Sequence, residues 1–318
     1  MKIVLANDGI SQLGIDTLHS AGFEVLTQKV AQEQLSNVIN EKQISVLLVR
    51  SATKVRKELI DACPSLKLIG RGGVGMDNID VDYAESKGIK VINTPAASSE
   101  SVAELVFAHL FSLVRFVYDS NRQMPLEGDT KFKELKKAYA KGQELKGKKL
   151  GIVGFGRIGQ EVAKRAIGLG MEIIVNDKFI KEKEIELHFF DGQKLRFHIQ
   201  TSSLNTVLQE SDFITVHIPK LSDKAVIGEK ELLIMKDGVG IINAARGGVI
   251  DENALVKALE NGKVMAAGLD VFDNEPSPSI KTLMQSNVSL TPHIGAATNE
   301  AQNRIGKELA DKIISYFE

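Results

Sequence analysis

Three short stretches in the last quarter of the chain place an arginine, two carboxylates and an imidazole directly after apolar runs. Asn243-Ala244-Ala245-Arg246-Gly247-Gly248 supplies Arg246. Leu269-Asp270-Val271-Phe272-Asp273-Asn274-Glu275-Pro276 supplies Asp270 and Glu275, and Thr291-Pro292-His293-Ile294-Gly295 supplies His293. The runs before them, 239–243, 264–269 and 288–290, read as strands, so the loops fall at strand carboxyl ends, where open α/β sheets place ligands. A histidine has an unperturbed pKa of about 6.5 and suits general-base work near neutrality. A neighbouring carboxylate favours its imidazolium form, and Glu275 is the natural partner for His293. Arg246 can form a bidentate pair with a substrate carboxylate and polarise an adjacent oxygen. Together they form the equipment for taking a proton from a hydroxyl group while a hydride leaves the carbon that bears it. Singly, each also reads as a surface arginine, a solvated acid or a core histidine.

A hydride needs an acceptor, and a stretch in the middle of the chain fits one. Lys149-Leu150-Gly151-Ile152-Val153-Gly154-Phe155-Gly156-Arg157-Ile158-Gly159 passes from an apolar run into G-x-G-x-x-G at Gly154, Gly156 and Gly159. The first glycine lets the chain turn off a strand, the second lets backbone approach a pyrophosphate, and the third lets the following helix pack on the sheet. The helix N-terminus then offers N–H groups and a positive dipole end to phosphate. A second apolar run, 171–175, ends on Asn176-Asp177, and Asp177 stands at the spacing of the acid that binds a ribose 2′-hydroxyl. A carboxylate there repels a 2′-phosphate, so the expected cofactor is NAD rather than NADP.

Gly70-Arg71-Gly72-Gly73-Val74-Gly75 satisfies the same glycine pattern, but the position matching Asp177 is the neutral Asn93. The stretch 72–75 therefore reads as a nest of backbone amides for a smaller anion such as a carboxylate, with a tight structural turn as the alternative.

The elements that must position these loops follow from periodicity. Short apolar runs at 3–6, 23–26, 46–49, 66–70 and 91–93 alternate with helical patterns including 11–21 and 80–87, which argues for a parallel sheet covered by helices. The stretch 98–117 reads as one buried helix with Ser101 and Glu104 in capping-box spacing. The lysine-rich stretch 121–148 reads as a solvated face. Further strands are expected at 213–217 and in the three runs above, with helices at 229–235 and 252–260. The stretch 186–199 alternates with period two around Asp191-Gly192 and predicts a β-hairpin. No acid or cysteine completes a ligand set with His188 and His198 in the sequence pattern, so no metal is expected. A last helix over 298–317 is expected to return to the first domain. The fold class expected is α/β, with two doubly wound parallel-sheet domains, a Rossmann nucleotide domain inserted in a flavodoxin-like one. The first domain takes residues 1–98 and 295–318, the nucleotide domain takes 99–294, and a cleft is expected between them.

Composition bounds the partners. The chain has 318 residues, enough for two domains, and a formal net charge of −1, which gives no global attraction to nucleic acid or anionic lipid. The lone Cys63 forms no internal disulfide and reads as structural filler; Met1-Lys2-Ile3-Val4-Leu5 reads as a strand rather than a signal peptide. No apolar run approaches the roughly 20 residues of a membrane span. A soluble, cytoplasmic protein is expected.

In order along the chain, Gly151 to Gly159, His217-Ile218-Pro219, the Asn243 loop, Gly268-Leu269-Asp270-Val271-Phe272, Glu275-Pro276 and Pro292-His293-Ile294-Gly295 resemble the motifs of the D-isomer-specific 2-hydroxyacid dehydrogenases. The likeness covers nearly the whole chain. It implies that Arg246, Glu275 and His293 are catalytic and that Asp270 contacts the nicotinamide carboxamide. It also implies that NAD is held by Gly154, Gly156, Arg157, Ile158, Gly159 and Asp177, by His217, Ile218 and Pro219, by Ala244 and Ala245, and by Val74, Gly295 and Ala296. Val49-Arg50-Ser51-Ala52-Thr53-Lys54-Val55 and the loop 70–78 look like signatures of the branch that oxidises 3-phospho-D-glycerate to 3-phosphohydroxypyruvate, the entry to serine synthesis. That likeness makes Arg50, Ser51, Gly73, Val74 and Gly75 substrate residues beside Arg246 and His293. It further implies a homodimer formed through the NAD-binding domain, with Lys136, Lys137 or Lys141 reaching a substrate phosphate across it. The chain departs from the branch in lacking tryptophan near Lys131-Phe132 and in the stretch 186–199. With nothing after Phe317-Glu318, neither a C-terminal regulatory domain nor feedback by serine is expected. Two rivals share these motifs: the same chemistry on an unphosphorylated acid such as hydroxypyruvate or glyoxylate, and an NAD(H)-sensing protein similar to the C-terminal-binding corepressors.

Overall fold

The structure, a computed structural model, describes residues 2–220 and 222–318. Met1, at the head of the first expected strand, lies outside them. The chain forms two compact units, Met1–Ser101 with Ala296–Glu318, and Val102–Gly295.

In chain order the first elements are β1 (Lys2–Ala6), α1 (Gln12–Ser20), β2 (Phe23–Leu26), α2 (Leu35–Glu41), β3 (Val46–Val49), α3 (Lys57–Ala62), β4 (Leu68–Arg71), α4 (Val81–Ser86), β5 (Lys90–Asn93) and α5 (Ser99–Arg115). There follow α6 (Val117–Glu127), α7 (Phe132–Ala138), β6 (Lys149–Val153), α8 (Arg157–Gly168), β7 (Glu172–Asn176), β8 (Glu182–His188), β9 (Lys194–Gln200), α9 (Leu204–Glu210) and β10 (Phe213–Val216). The last are α10 (Glu229–Ile234), β11 (Val239–Asn243), α11 (Glu252–Glu260), β12 (Val264–Leu269), α12 (Ile280–Leu283), β13 (Val288–Leu290) and α13 (Asn299–Phe317).

In the first unit a five-stranded parallel sheet runs β2-β1-β3-β4-β5. Its central β3, Val46-Leu47-Leu48-Val49, is wholly buried, as a strand covered on both faces must be. Leu35, Ile39 and Ile60 cover one face; Leu18, Leu309 and Ile313 cover the other. α13 packs on α1 at a point where both are glycine: a Cβ on Gly14 would lie 2.9 Å from the Gly306 backbone. Thr298 starts α13 by accepting the Ala301 amide at 3.2 Å, and Ser11 starts α1 by accepting that of Gly14 at 3.3 Å. The strand order turns back between β1 and β3, which opens a crevice at their carboxyl ends.

The second unit holds a six-stranded parallel sheet ordered β13-β12-β11-β10-β6-β7. Thr201 makes one isolated parallel bridge to Val175, the remnant of a further strand beyond β7. β10 and β11 are buried throughout, and α5 lies in the same core through Val106, Phe107, Leu110 and Val114. Here the order turns back between β6 and β10. The expected hairpin is β8 and β9, paired antiparallel from Glu182↔Gln200 to His188↔Lys194, with Ile185 buried against the unit's core.

Two expectations are corrected. The helix expected over 98–117 ends at Arg115, because Phe116 adopts a left-handed φ of 53°. Ser101 and Glu104 form no capping box: Ser101 Oγ lies 2.7 Å from Thr298 Oγ1, and Glu104 pairs with Arg165 at 3.1 Å. The polar stretch after it contains α6 and α7, which bury no residue and are held by side chains. Tyr139 donates to Asp119 at 2.8 Å and its ring lies 6.0 Å from that of Phe116. Among the described residues no single helix is long and apolar enough to cross a membrane.

Candidate active site

Every loop after a strand of the second unit's sheet carries part of the predicted equipment. After β6 the three glycines each meet a distinct steric demand. Gly154 has φ +98°, and a Cβ on it would lie 2.6 Å from the His217 carbonyl oxygen. Gly156 has open space where its side chain would be, and a Cβ on Gly159 would overlap the Gly154 carbonyl oxygen. Gly156 is also the N-cap of α8 and, having no side chain, leaves the first-turn amides uncapped. A dinucleotide pyrophosphate fits this cradle of open backbone and helix dipole.

Asp177 follows β7. Burial alone would raise its pKa, but three backbone donors outweigh that and hold the carboxyl below the usual range. They are Phe155 N–H at 2.7 Å, Phe179 N–H at 2.8 Å and Ile180 N–H at 2.9 Å. About four acceptor positions exist on a carboxylate, so one is left for a ribose hydroxyl. The acid also fixes the glycine turn through Phe155. His217, after β10, has Nε2 at 3.0 Å from Thr215 Oγ1 and an enclosed Nδ1 without a partner among the described residues. Desolvation pushes its pKa down to about 3, so the ring is neutral. Ile218 is half-buried and Pro219 exposed.

After β11, Ala244 and Ala245 are buried, and Asn243 folds the turn by accepting Ala245 N–H and donating to the Arg246 carbonyl, both at 3.0 Å. The Arg246 guanidinium is half-exposed and donates to the Ala245 carbonyl at 2.7 Å. This turn is locked to the loop after β12. A Cβ on Gly247 would overlap the Phe272 carbonyl, and Gly248 N–H donates to Asp273 Oδ1 at 2.6 Å. The buried Glu252, whose pKa desolvation raises, accepts the Asp273 amide and the Thr282 hydroxyl from below.

Glu275 and His293 meet. Glu275 Oε1 accepts the Phe272 amide at 3.0 Å, and Oε2 lies 2.7 Å from His293 Nδ1. His293 has φ +54°, a left-handed conformation for which a non-glycine residue is strained by about 1–3 kcal/mol. It is held there by donating its amide to the Asp270 carbonyl at 2.8 Å. Asp270 itself is buried and accepts from Thr291 Oγ1, Ile294 N–H and Gly295 N–H at 2.7, 2.8 and 2.9 Å.

In the first unit, Arg50 follows β3 beside the β1/β3 crevice. Its amide donates to Asp8 at 2.7 Å and its carbonyl accepts from Asn78 at 2.7 Å. Burial lowers the pKa of its guanidinium, against the opposing charge of Asp8. That guanidinium makes no hydrogen bond or ion pair among the described residues. A Cβ on Gly72 would come within 3.6 Å of the Arg50 side chain, so the glycine loop runs alongside it. Ser51 is exposed, as is Val74. The nest is smaller than the sequence suggests. Gly72 and Gly73 donate their amides to the carbonyls of Val49 and Arg71, both at 2.9 Å, while the amides of Val74 and Gly75 have no acceptor among the described residues. Asn93, noted in the sequence only for its neutrality, tethers this loop by donating to the Val74 carbonyl at 2.8 Å. Ala296 opens the return segment of this unit, and Lys136, Lys137 and Lys141 stand exposed on or after α7. His188 and His198 each lie beside one glutamate of the hairpin, and no group of three metal-ligating side chains exists among the described residues.

Residues 107–295 match the model of the D-isomer specific 2-hydroxyacid dehydrogenase NAD-binding domain. The chain belongs to the D-isomer-specific 2-hydroxyacid dehydrogenases. This dehydrogenase is 46% identical over 294 residues to the hydroxypyruvate reductase of Thermotoga maritima, covering 91% of this chain and 90% of the relative. It is 41% identical to the D-3-phosphoglycerate dehydrogenase of Methanocaldococcus jannaschii over 98% of its own length, but spans only 57% of that protein. Among solved structures, a glyoxylate reductase from Paecilomyes thermophila superposes with a TM-score of 0.82 at 32% identity, covering 100% of this chain and 95% of the other. The dehydrogenase therefore works with a nicotinamide dinucleotide on a 2-hydroxy or 2-oxo acid.

Proposed function

We propose that this dehydrogenase oxidises 3-phospho-D-glycerate at C2 to 3-phosphohydroxypyruvate, with residues 99–294 as the NAD-binding domain and 1–98 with 295–318 as the substrate-binding domain. Bound NAD supplies the hydride acceptor, and Asp177 favours it over NADP. Arg246 pairs with the substrate carboxylate and draws charge from the C2 oxygen. His293 Nδ1–H donates to Glu275, which leaves Nε2 as the acceptor for the C2 hydroxyl proton. The Glu275 carboxylate then stabilises the imidazolium that forms. Asp270 holds the 293–295 backbone and meets the nicotinamide carboxamide with its last acceptor position. The protein acts in the cytoplasm as a homodimer formed through the NAD-binding domain, and one of Lys136, Lys137 or Lys141 reaches the phosphate across it.

The observation that carries the phosphorylated substrate is the Arg50 guanidinium, half-buried with no hydrogen bond or ion pair among the described residues, on the side of the loop that carries the amides of Val74 and Gly75, which no described residue accepts. A guanidinium in that state calls for an anion, and an acid with a carboxylate alone already has Arg246. Replacing Arg50 with methionine is expected to raise KM for 3-phospho-D-glycerate about 10- to 100-fold, the worth of a charged hydrogen-bonded contact, with little change for D-glycerate. An unchanged KM, or an equal change for both acids, refutes the phosphate role of Arg50. A second reading, reduction of hydroxypyruvate or glyoxylate, is supported by the Thermotoga maritima relative, whose match spans about nine tenths of both chains.

A further inference from the structure

A chain of hydrogen bonds, buried at His109 and part-buried at Thr291, leads to the Asp270 carboxylate through side chains that the reaction proposed above does not use. His109 sits in the middle of α5, flanked there by the buried Val106, Phe107, Leu110 and Leu113, and is only 2% exposed. Its Nδ1 lies 2.9 Å from Ser289 Oγ and its Nε2 lies 3.0 Å from Thr291 Oγ1. Ser289, on β13, and Thr291, just past its end, are two residues apart and so point to the same face. The Thr291 hydroxyl in turn donates to Asp270 Oδ1 at 2.7 Å.

The direction of the whole chain follows from the inventory of protons. An ionised carboxylate only accepts, so the single hydroxyl proton of Thr291 goes to Asp270. Thr291 must then accept from His109, which places the ring proton on Nε2 and leaves Nδ1 to accept from Ser289. Burial lowers the His109 pKa against the opposing charge of Asp270, in keeping with a neutral ring. The strand is shaped to admit that ring: a Cβ on Gly268, two residues before Asp270, would come within 2.7 Å of the His109 Cβ. With Ile294 and Gly295 also donating, three of about four acceptor positions on Asp270 are filled, and one on Oδ2 remains.

We infer that His109 is a positioning residue of this dehydrogenase: through the Thr291 hydroxyl it sets the plane of the Asp270 carboxylate, and so holds the remaining acceptor position for the nicotinamide carboxamide. The inference rests on the reading in which Asp270 meets that carboxamide. A core histidine that only stabilises the fold has the same burial but makes no difference to cofactor affinity in folded protein.

The test is a double-mutant cycle on the dissociation constant of NADH, read from the fluorescence of NADH itself in a protein without tryptophan. His109→Phe is expected to weaken NADH about 10-fold, the worth of one charge-linked hydrogen bond, and Thr291→Val at least as much. The double variant should bind no more weakly than Thr291→Val, because both act through one hydroxyl. His109→Gln, which keeps a donor near the Nε2 position, should recover affinity to within about 3-fold of the unmodified protein. His109→Asn reaches Ser289 but not Thr291 and should resemble His109→Phe, so the cycle survives if the phenylalanine variant fails to fold. Additive losses, or unchanged NADH affinity in variants that melt lower, overturn the inference. Asp270→Asn separates the two layers: if it leaves NADH affinity unchanged, the reading of Asp270 fails. If it weakens NADH while the His109 variants do not, only the role of His109 is lost.

Discussion

Replacing Gly247 with alanine tests how tightly the arginine turn is joined to the loop that carries Glu275. The φ of Gly247 is not left-handed, so alanine costs nothing in backbone conformation and the effect is steric alone. A Cβ there would overlap the Phe272 carbonyl and lie 2.9 Å from the Asp273 amide nitrogen. Both obstacles are backbone, so no side chain can swing aside. One loop must retreat by about 1 Å, and a misplacement of that size at a reacting group costs about 10²-fold in rate. That corresponds to about 2.7 kcal/mol of transition-state stabilisation. The Gly248–Asp273 bond and the Glu252–Asp273 bond sit on the same hinge and resist the shift, which directs the displacement toward Arg246 or Glu275. The assay is kcat/KM from NADH absorbance, with NADH affinity and melting temperature measured on the same preparation. Affinity for NADH should fall by less than kcat/KM, because the glycine cradle after β6 and Asp177 are separate from these two loops. A folded Gly247→Ala protein with kcat/KM within about 3-fold of the unmodified enzyme would refute the argument that these loops are locked in register.

Two further predictions concern the carboxylates. Asp177→Asn should weaken NADH and reduce the preference for NAD over NADP, measured as the ratio of kcat/KM for the two cofactors; an unchanged ratio removes Asp177 from the ribose site. The same variant has a stability signature. The folded-state pKa of Asp177 is depressed, so its contribution is fully present above its unfolded value of about 3.9 and is lost as pH falls through the folded value. The melting-temperature gap between the two proteins should be constant from pH 7 to about 5 and close below about 4. A gap that widens in acid contradicts the three-donor account. His293→Ala should lower kcat by about 10²- to 10⁴-fold with NADH affinity retained, and Glu275→Gln should lower kcat by a smaller factor. Unchanged turnover in either variant ends its assigned part in the proton transfer.

Much of the fold was legible because the strands are buried on both faces. Val46 to Val49 is an unbroken apolar run and Phe213 to Val216 is broken only by the β-branched Thr215, and a covered parallel sheet accommodates both. The hairpin showed itself by the opposite signal, alternation around Asp191-Gly192. Helices α6 and α7 were not legible because they bury no residue and their few apolar side chains, such as Phe132 and Leu135, are outnumbered by charged and polar ones; Tyr139, Asp119 and Phe116 hold them through contacts that sequence order does not reveal. The glycine loop after β4 shows the same limit at finer scale. Its glycine pattern is visible, but whether an amide faces outward or back to Val49 or Arg71 is decided by the sheet beside it. Glu275 and His293 were legible as residue types after strands, and the structure places them 2.7 Å apart. His109 gave only a faint signal, a polar residue within the apolar middle of α5. Its partners, Ser289 and Thr291, are about 180 residues away in the chain.

The central claim is the phosphorylated substrate, and initial rates on the unmodified protein test it most directly. NADH formation with 3-phospho-D-glycerate, D-glycerate and D-lactate should be compared with NADH consumption on 3-phosphohydroxypyruvate, hydroxypyruvate and glyoxylate. The Arg50 site predicts that kcat/KM for each phosphorylated acid exceeds that for its unphosphorylated counterpart by about 10²-fold or more, roughly two charged contacts. Equal values, or a higher value for hydroxypyruvate than for 3-phosphohydroxypyruvate, would contradict it and favour the reductase reading.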